Sequence, residues 1–197
     1  DFTKIKVRTG LDVFISQGNK LSVTIEADEN LHDIIKTEVD GNQLRIYAEK
    51  SIWRAKKARI NVTIDDLEEL KATSGSDVYS DGVLKVNNIV LATTSGADMK
   101  VEVNANSVDA SSTSGSDLKV MGETNDFYGS STSGSNINAY SLQSKNATVK
   151  VSSGADLRVY ATESLTARAS SGGDIRYKGS PKKATKKSSS GGSISGS

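Results

Sequence analysis

Thr73-Ser74-Gly75-Ser76-Asp77 is the first of a series of similar stretches, and the series decides the fold. Ser-Gly recurs with its glycine at 75, 96, 115, 134, 154, 172 and 191, at spacings of 21, 19, 19, 20, 18 and 19 residues. A fixed period near twenty is the mark of a solenoid, in which each repeat contacts only its neighbours. Three residues after the glycine stand Val78, Met99, Leu118, Ile137, Leu157, Ile175 and Ile194, all apolar. Two further on come Ser80, Val101, Val120, Ala139, Val159, Tyr177 and Gly196. A second alternating stretch precedes each glycine, with Ile89, Val108, Phe127, Ala147, Leu165 and Ala184 seven residues before it. Leu91, Ala110, Gly129, Val149, Ala167 and Lys186 follow five residues before it. Period two predicts strands with one face inward. One coil cannot bury its apolar edge alone, so the coils must stack, about 4.8 Å apart.

The remainder reads as support for that stack. Residues 1–72 carry alternating strands around Ile5 and Val7, Val13 and Ile15, Val23 and Ile25, Leu44 and Ile46, and Ile60, Val62 and Ile64. Leu31, Ile34 and Ile35 fall at i, i+3 and i+4 and predict a short helix capped by Asp28 or Asn30. Asp40-Gly41 predicts a hairpin turn. Ser51-Ile52-Trp53-Arg54-Ala55-Lys56-Lys57 breaks the alternation and reads as an exposed loop, or as an aromatic and basic contact patch. Residues 73–197 form the repeat array, continuous with the N-terminal part. It ends in Pro181, Lys182, Lys183, Lys186 and Lys187, a charged cap or a site for acidic glycans or lipid headgroups.

Composition narrows the function classes. The 197 residues carry a net charge of +1, which predicts neither a nucleic-acid nor an anionic-membrane partner. No apolar run is long enough to span a bilayer. The absence of Cys excludes a disulfide scaffold and thiolate chemistry. The chain opens at Asp1 rather than Met, so a removed upstream segment, such as a signal peptide, is expected. His32 is the only histidine, and a Ser-His-Asp triad would rest entirely on it. No phosphate loop or dinucleotide fingerprint is present. Asp65-Asp66 with Glu68-Glu69, near Asp81, is the densest carboxylate cluster and reads as a solvated edge. No catalytic residue, cofactor site or metal site is expected.

An acidic column follows the turns: Asp77, Asp98, Asp117, Asn136, Asp156, Asp174 and Ser193. Two residues along come Tyr79, Lys100, Lys119, Asn138, Arg158, Arg176 and Ser195. Where the acid is lost the base is lost too, so the two columns are expected to neutralise one another.

The N-terminal strings are Phe2-x-x-Ile5-x-Val7, Gly10-Leu11-Asp12-Val13-x-Ile15-x-Gln17-Gly18, Val23 and Ala27-Asp28-x-Asn30-Leu31. Together with the Ser-Gly-x-Asp-apolar corners, the chain resembles the "putative autotransporter adhesin, head GIN domain" family, exported proteins mainly of Bacteroidetes. Gly10-Leu11-Asp12 stands where the family's name-giving tripeptide is expected. The resemblance implies an all-β, right-handed parallel β-helix with the shape of pectin-lyase solenoids. It also implies a suspected adhesion role and no established catalytic residues.

Three functions are carried forward. The first is a non-enzymatic cell-surface or periplasmic module binding a glycan or protein along a flat face. The second is a polysaccharide lyase or hydrolase, tested by Asp117→Ala. The third is a structural spacer. Calcium would need six or more oxygens, whereas the acids here have resident cations beside them and no Gly-Gly-x-Gly-x-Asp nonapeptide. Millimolar calcium is therefore expected to leave the melting temperature unchanged. A rise reversed by EDTA would contradict that reading.

Overall fold

The computed structural model describes residues 1–50 and 58–197. Residues 51–57, read above as an exposed loop or a contact patch, lie outside the described residues. Five long strands make the body: β8 (Asp77–Thr94), β9 (Asp98–Thr113), β10 (Asp117–Thr132), β11 (Asn136–Val151) and β12 (Asp156–Ala169). Each is most of one coil of a β-solenoid of about seven turns. Successive coils pair in parallel, as expected from the period. Leu118 lies opposite Met99 on one side and Ile137 on the other. Phe127 sits between Val108 and Ala147 in the same way, and all six are buried.

Within a coil the inward residues of β9 are Met99, Val101, Val103 and Ala105, then Val108, Ala110 and Ser112. Asn106 and Ser107 both face outward, so the phase of alternation shifts there and the chain turns a corner. A further bend falls at Gly122, where φ is 108° and an added Cβ would meet the Val103 carbonyl oxygen at 1.9 Å.

The Ser-Gly corner has a specific geometry. Both residues take positive φ, 57° at Ser114 and 66° at Gly115, the requirement of a type I′ turn. Glycine accepts this freely, but serine at αL costs roughly 1–2 kcal/mol. Two kinds of bond offset it. The Gly115 amide donates to the Ser133 carbonyl of the next coil at 3.2 Å, and Gly75, Gly96, Gly134, Gly154 and Gly172 repeat the bond. Beneath the turn, the Ser116 hydroxyl donates to the Thr113 carbonyl at 2.8 Å and accepts from the Thr113 amide at 3.2 Å. Ser76 and Ser135 do the same in their coils. The Thr93, Ser112 and Ser116 hydroxyls close a buried network, so no hydroxyl is desolvated without a partner.

The N-terminal residues enter the same stack. β1 (Lys4–Arg8) lies between β5 (Gln43–Ala48) and β7 (Glu69–Thr73), parallel to both. β2 (Asp12–Gln17) runs parallel to β8, with Val13 opposite Val78, and to β6 (Ala58–Ile64). Thr9 and Gly10 take φ of 72° and 64°, and the Gly10 amide donates to the Ser74 carbonyl. Thr9-Gly10 is therefore a further corner of the solenoid. β3 (Ser22–Ala27) and β4 (Ile35–Asp40) then run antiparallel to β6 and β5 and cover that end. The expected helix is not formed: Glu29–Leu31 makes one 3-10 turn, without a capping bond from Asp28. Leu31 and Ile35 are buried, but Ile35 is already the first residue of β4. Strand pairing with β5 wins because it satisfies more backbone groups than one isolated helical turn could.

At the other end β13 (Asp174–Lys178), β14 (Lys183–Ser188) and β15 (Ser193–Gly196) finish the stack. β14 is wholly exposed, as a charged edge should be. Lys186 lies across the Tyr177 ring and donates to its hydroxyl at 3.1 Å.

The two classes of glycine should respond differently to alanine. Gly115→Ala meets open space and is expected to cost about 1–2 kcal/mol for αL alone. Gly122→Ala drives a methyl into backbone and should cost more than about 3 kcal/mol. Urea unfolding of both variants measures the difference.

Candidate functional site

Two outward strand faces carry the side chains with chemistry. On the first, the register sets Asp12, Asp77, Asp98 and Asp117 in one line, followed by Asn136, Asp156, Asp174 and Ser193. Two residues along, Phe14, Tyr79, Lys100 and Lys119 form a parallel line that continues through Asn138, Arg158 and Arg176. Phe14 and Tyr79 stack with centroids 5.1 Å apart, and the Arg59 guanidinium lies 3.6 Å from the Phe14 ring centre. Asp12 and Phe14 extend both columns by a coil that the sequence reading omitted.

The expected neutralisation of acids by bases is not what the columns do. Among the described residues no ion pair joins them. Two residues along one strand are about 6.6 Å apart and their side chains stand parallel, so the heads do not meet. The acids are relieved from the neighbouring coil instead. Asn136 Nδ2 donates to Asp117 Oδ1 at 3.0 Å, and Ser193 Oγ donates to Asp174 Oδ1 at 2.5 Å. The joint loss at 136 and 193 thus places a donor beside an acid. The run Asp12–Asp77–Asp98 has no such break. Burial pushes the Asp77 carboxyl above its ordinary value, and the charges of Asp12 and Asp98 push the same way. Burial raises Asp12 as well.

The second face holds a groove of about 510 Å³. Val90, Asp109 and Tyr128 lie in register on three successive coils at its floor. Val90 and Tyr128 are exposed by 38% and 49%, two of five exposed large apolar side chains among the described residues, and they flank the Asp109 carboxylate. No described residue hydrogen-bonds that carboxylate. Asn88 and Ser107 form one wall, tied by a 2.9 Å bond from Ser107 Oγ to Asn88 Oδ1. Asp66 and Glu68 reach the groove from the turn before β7, held there by a 2.9 Å bond from the Val90 amide to the Glu68 carbonyl. Half of the predicted carboxylate cluster therefore does meet a groove. Asp65 does not line it, and Glu69 pairs with Lys71 at 2.7 Å. His32 is exposed directly after the 3-10 turn and does not line the groove.

Alternation alone could not single out Tyr128: it is one outward residue among many until the register sets it beside Asp109. No group of three or more metal-binding side chains occurs among the described residues.

A family model described as "Putative auto-transporter adhesin, head GIN domain" matches residues 1–181. A putative adhesin from Bacteroides fragilis superposes with a TM-score of 0.93 at 23% identity, covering 100% of this chain and 93% of that one. A putative adhesin from Parabacteroides merdae gives 0.79 at 19% identity, over 100% and 92%. A putative lipid binding protein from Parabacteroides distasonis gives 0.75 at 25% identity, over 100% and 93%. No curated protein matches the chain.

The acidic run makes stability depend on pH. A carboxyl whose folded pKa is raised contributes stability that is complete below its unfolded value, 3.8 for Asp77. That contribution is lost as pH rises through the folded value. Asp77→Asn removes the cost at neutral pH, where stacked like charges are destabilising by about 0.2–1 kcal/mol. Its melting temperature at neutral pH should rise by about 1–3 °C. The gain should vanish in acid below the unfolded value, which melting curves across pH will show.

Proposed function

The chain belongs to the "putative auto-transporter adhesin, head GIN domain" family, and from that membership we propose that it is an exported, non-enzymatic module that binds a glycan along its solenoid. It works at the cell surface or in the periplasm. The observation that carries this reading is the line Val90–Asp109–Tyr128 on the second face. A sugar ring presents apolar C–H faces and hydroxyl edges. An exposed tyrosine beside an unpartnered carboxylate offers the two complementary surfaces, a flat apolar ring and an acceptor. Asn88, Ser107 and Glu68 add donors and acceptors around them. The groove is open and shallow, so it takes a segment of an extended chain rather than enclosing a small molecule.

The rigid stack is itself part of the function. Side chains held on strands of a continuous sheet lose little freedom on binding, so weak contacts add without a large ordering cost. Tyrosine gives much contact area for two side-chain torsions, which suits a surface site. A module of this kind reads several monomers of a polymer at once, and its affinity comes from repetition along the coils.

A glycan array probed with the purified protein is expected to show a set of neutral or hydroxyl-rich oligosaccharides bound. Tyr128→Ala should lower that binding at least tenfold with little change in melting temperature, because the ring is half exposed. Bound glycans should release no reducing sugar on prolonged incubation. Silence across the array, or unchanged binding by the variant, contradicts the proposal.

A further inference from the structure

The same outward face carries a second feature three coils further along. Lys150, Arg168 and Lys187 are direct register partners on β11, β12 and β14. All three are exposed. Among the described residues none of them has an acidic partner. Over the three preceding coils the column is neutral, at Ala92, Ser111 and Ser130; before them it holds Lys71, Lys6 and Arg45, of which Lys71 and Arg45 are paired with Glu69 and Asp40. Like charges stacked directly opposite one another are destabilising, and on the first face Asn136 and Ser193 interrupt the acids where they stack. Here three cations follow one another without a break.

The columns on either side are hydroxyls. Thr148, Thr166 and Thr185 stack on one side, also in direct register. Ser152, Ser170 and Ser189 follow on the other, with Ser170 and Ser189 fixed by amide bonds to Val151 and Ala169 of the preceding coil. A groove of about 700 Å³ runs over this surface, lined by the three cations together with Ser170, Ser189 and Lys186. The result is a straight row of positive heads at the spacing of β-strands, about 4.8 Å, bordered by donors.

We propose that this row binds a linear anionic polysaccharide, one carrying carboxylates or sulfates along its length, laid parallel to the solenoid axis. Each cation meets one oxyanion, and the flanking threonine and serine hydroxyls donate to the same groups or to sugar oxygens. Arg168 at the centre can hold an oxyanion with two parallel bonds. A straight polymer fits a straight row, whereas a compact anion would use one cation and leave the others idle. A bilayer surface fits less well: among the described residues the exposed large apolar side chains, Leu21, Val39, Val83, Val90 and Tyr128, all lie outside this row, so none of them beside it would enter the acyl layer. The site stands independently of the Tyr128 groove.

The test uses the full chain with heparin as the sulfated probe, polygalacturonate as the carboxylated probe, dextran as the neutral control and phosphatidylserine vesicles as the lipid arm. One or both anionic polymers should bind, with affinity falling steeply as salt rises. The triple variant Lys150→Gln, Arg168→Gln, Lys187→Gln should lose at least tenfold in affinity. Arg168→Gln alone, at the centre of the row, should account for the largest single share. Two controls should bind like the parent: Lys182→Gln with Lys183→Gln, which alters charge nearby but outside the row, and Tyr128→Ala, which disables only the other groove. Equal losses in the row and in the Lys182 and Lys183 control overturn the proposal by reducing it to net charge. Failure of both polymers to bind, or binding to vesicles alone, overturns it as well.

Discussion

One bond recurs at the Ser-Gly corners from Gly75 to Gly172 and holds the stack in register: the glycine amide donating to the serine carbonyl of the next coil. It forms only when both corner residues take positive φ, which turns the amide along the solenoid axis. Serine in that conformation is unfavourable by itself. The bond to the next coil and the buried hydroxyl of Ser76, Ser116 or Ser135 beneath the turn together make the conformation tenable. Each corner therefore depends on its neighbour, as repeat architectures do in general. Slippage by one residue would break this line of bonds and would also turn Met99, Leu118 and Ile137 outward, so two independent penalties oppose it.

Strict register has a consequence for the surface. A residue type repeated in the sequence becomes a line of like side chains on the protein. Such a line is harmless for Thr and Ser, favourable for Asn, whose amide can donate to the next acceptor, and costly for charges. The first face shows the cost being limited, with Asn136 and Ser193 each donating to an adjacent aspartate. The second face shows charges left unrelieved at Lys150, Arg168 and Lys187.

Some features were legible and some were hidden, for identifiable reasons. The apolar columns and the corners from Gly75 to Gly191 follow from spacing alone, because a period and an alternation are one-dimensional properties. The corner at Thr9-Gly10 was hidden by its distance: 65 residues separate Gly10 from Gly75, with β2 to β7 between them. Its signal was nonetheless present, since Gly10-Leu11-Asp12-Val13 shares Gly, Asp and Val with Gly75-Ser76-Asp77-Val78 at the same spacing. The helix expected at Leu31 to Ile35 failed because three apolar residues at helical spacing can equally serve a buried turn followed by a strand.

From the order of residues alone came the solenoid, its period, its inward columns and the absence of cysteine. These are local or periodic properties, and a chain carries them whether or not it is folded. Which outward residues act together was decided only by folding. Asp and Lys two positions apart looked like partners along the chain, yet strand geometry keeps their heads apart and gives Asp117 to Asn136 instead. Val90, Asp109 and Tyr128 are nineteen residues apart at each step and share no motif, yet they meet in one groove. Contact across coils depends on three-dimensional register, and that register is set by the corners rather than by the side chains that come to face one another.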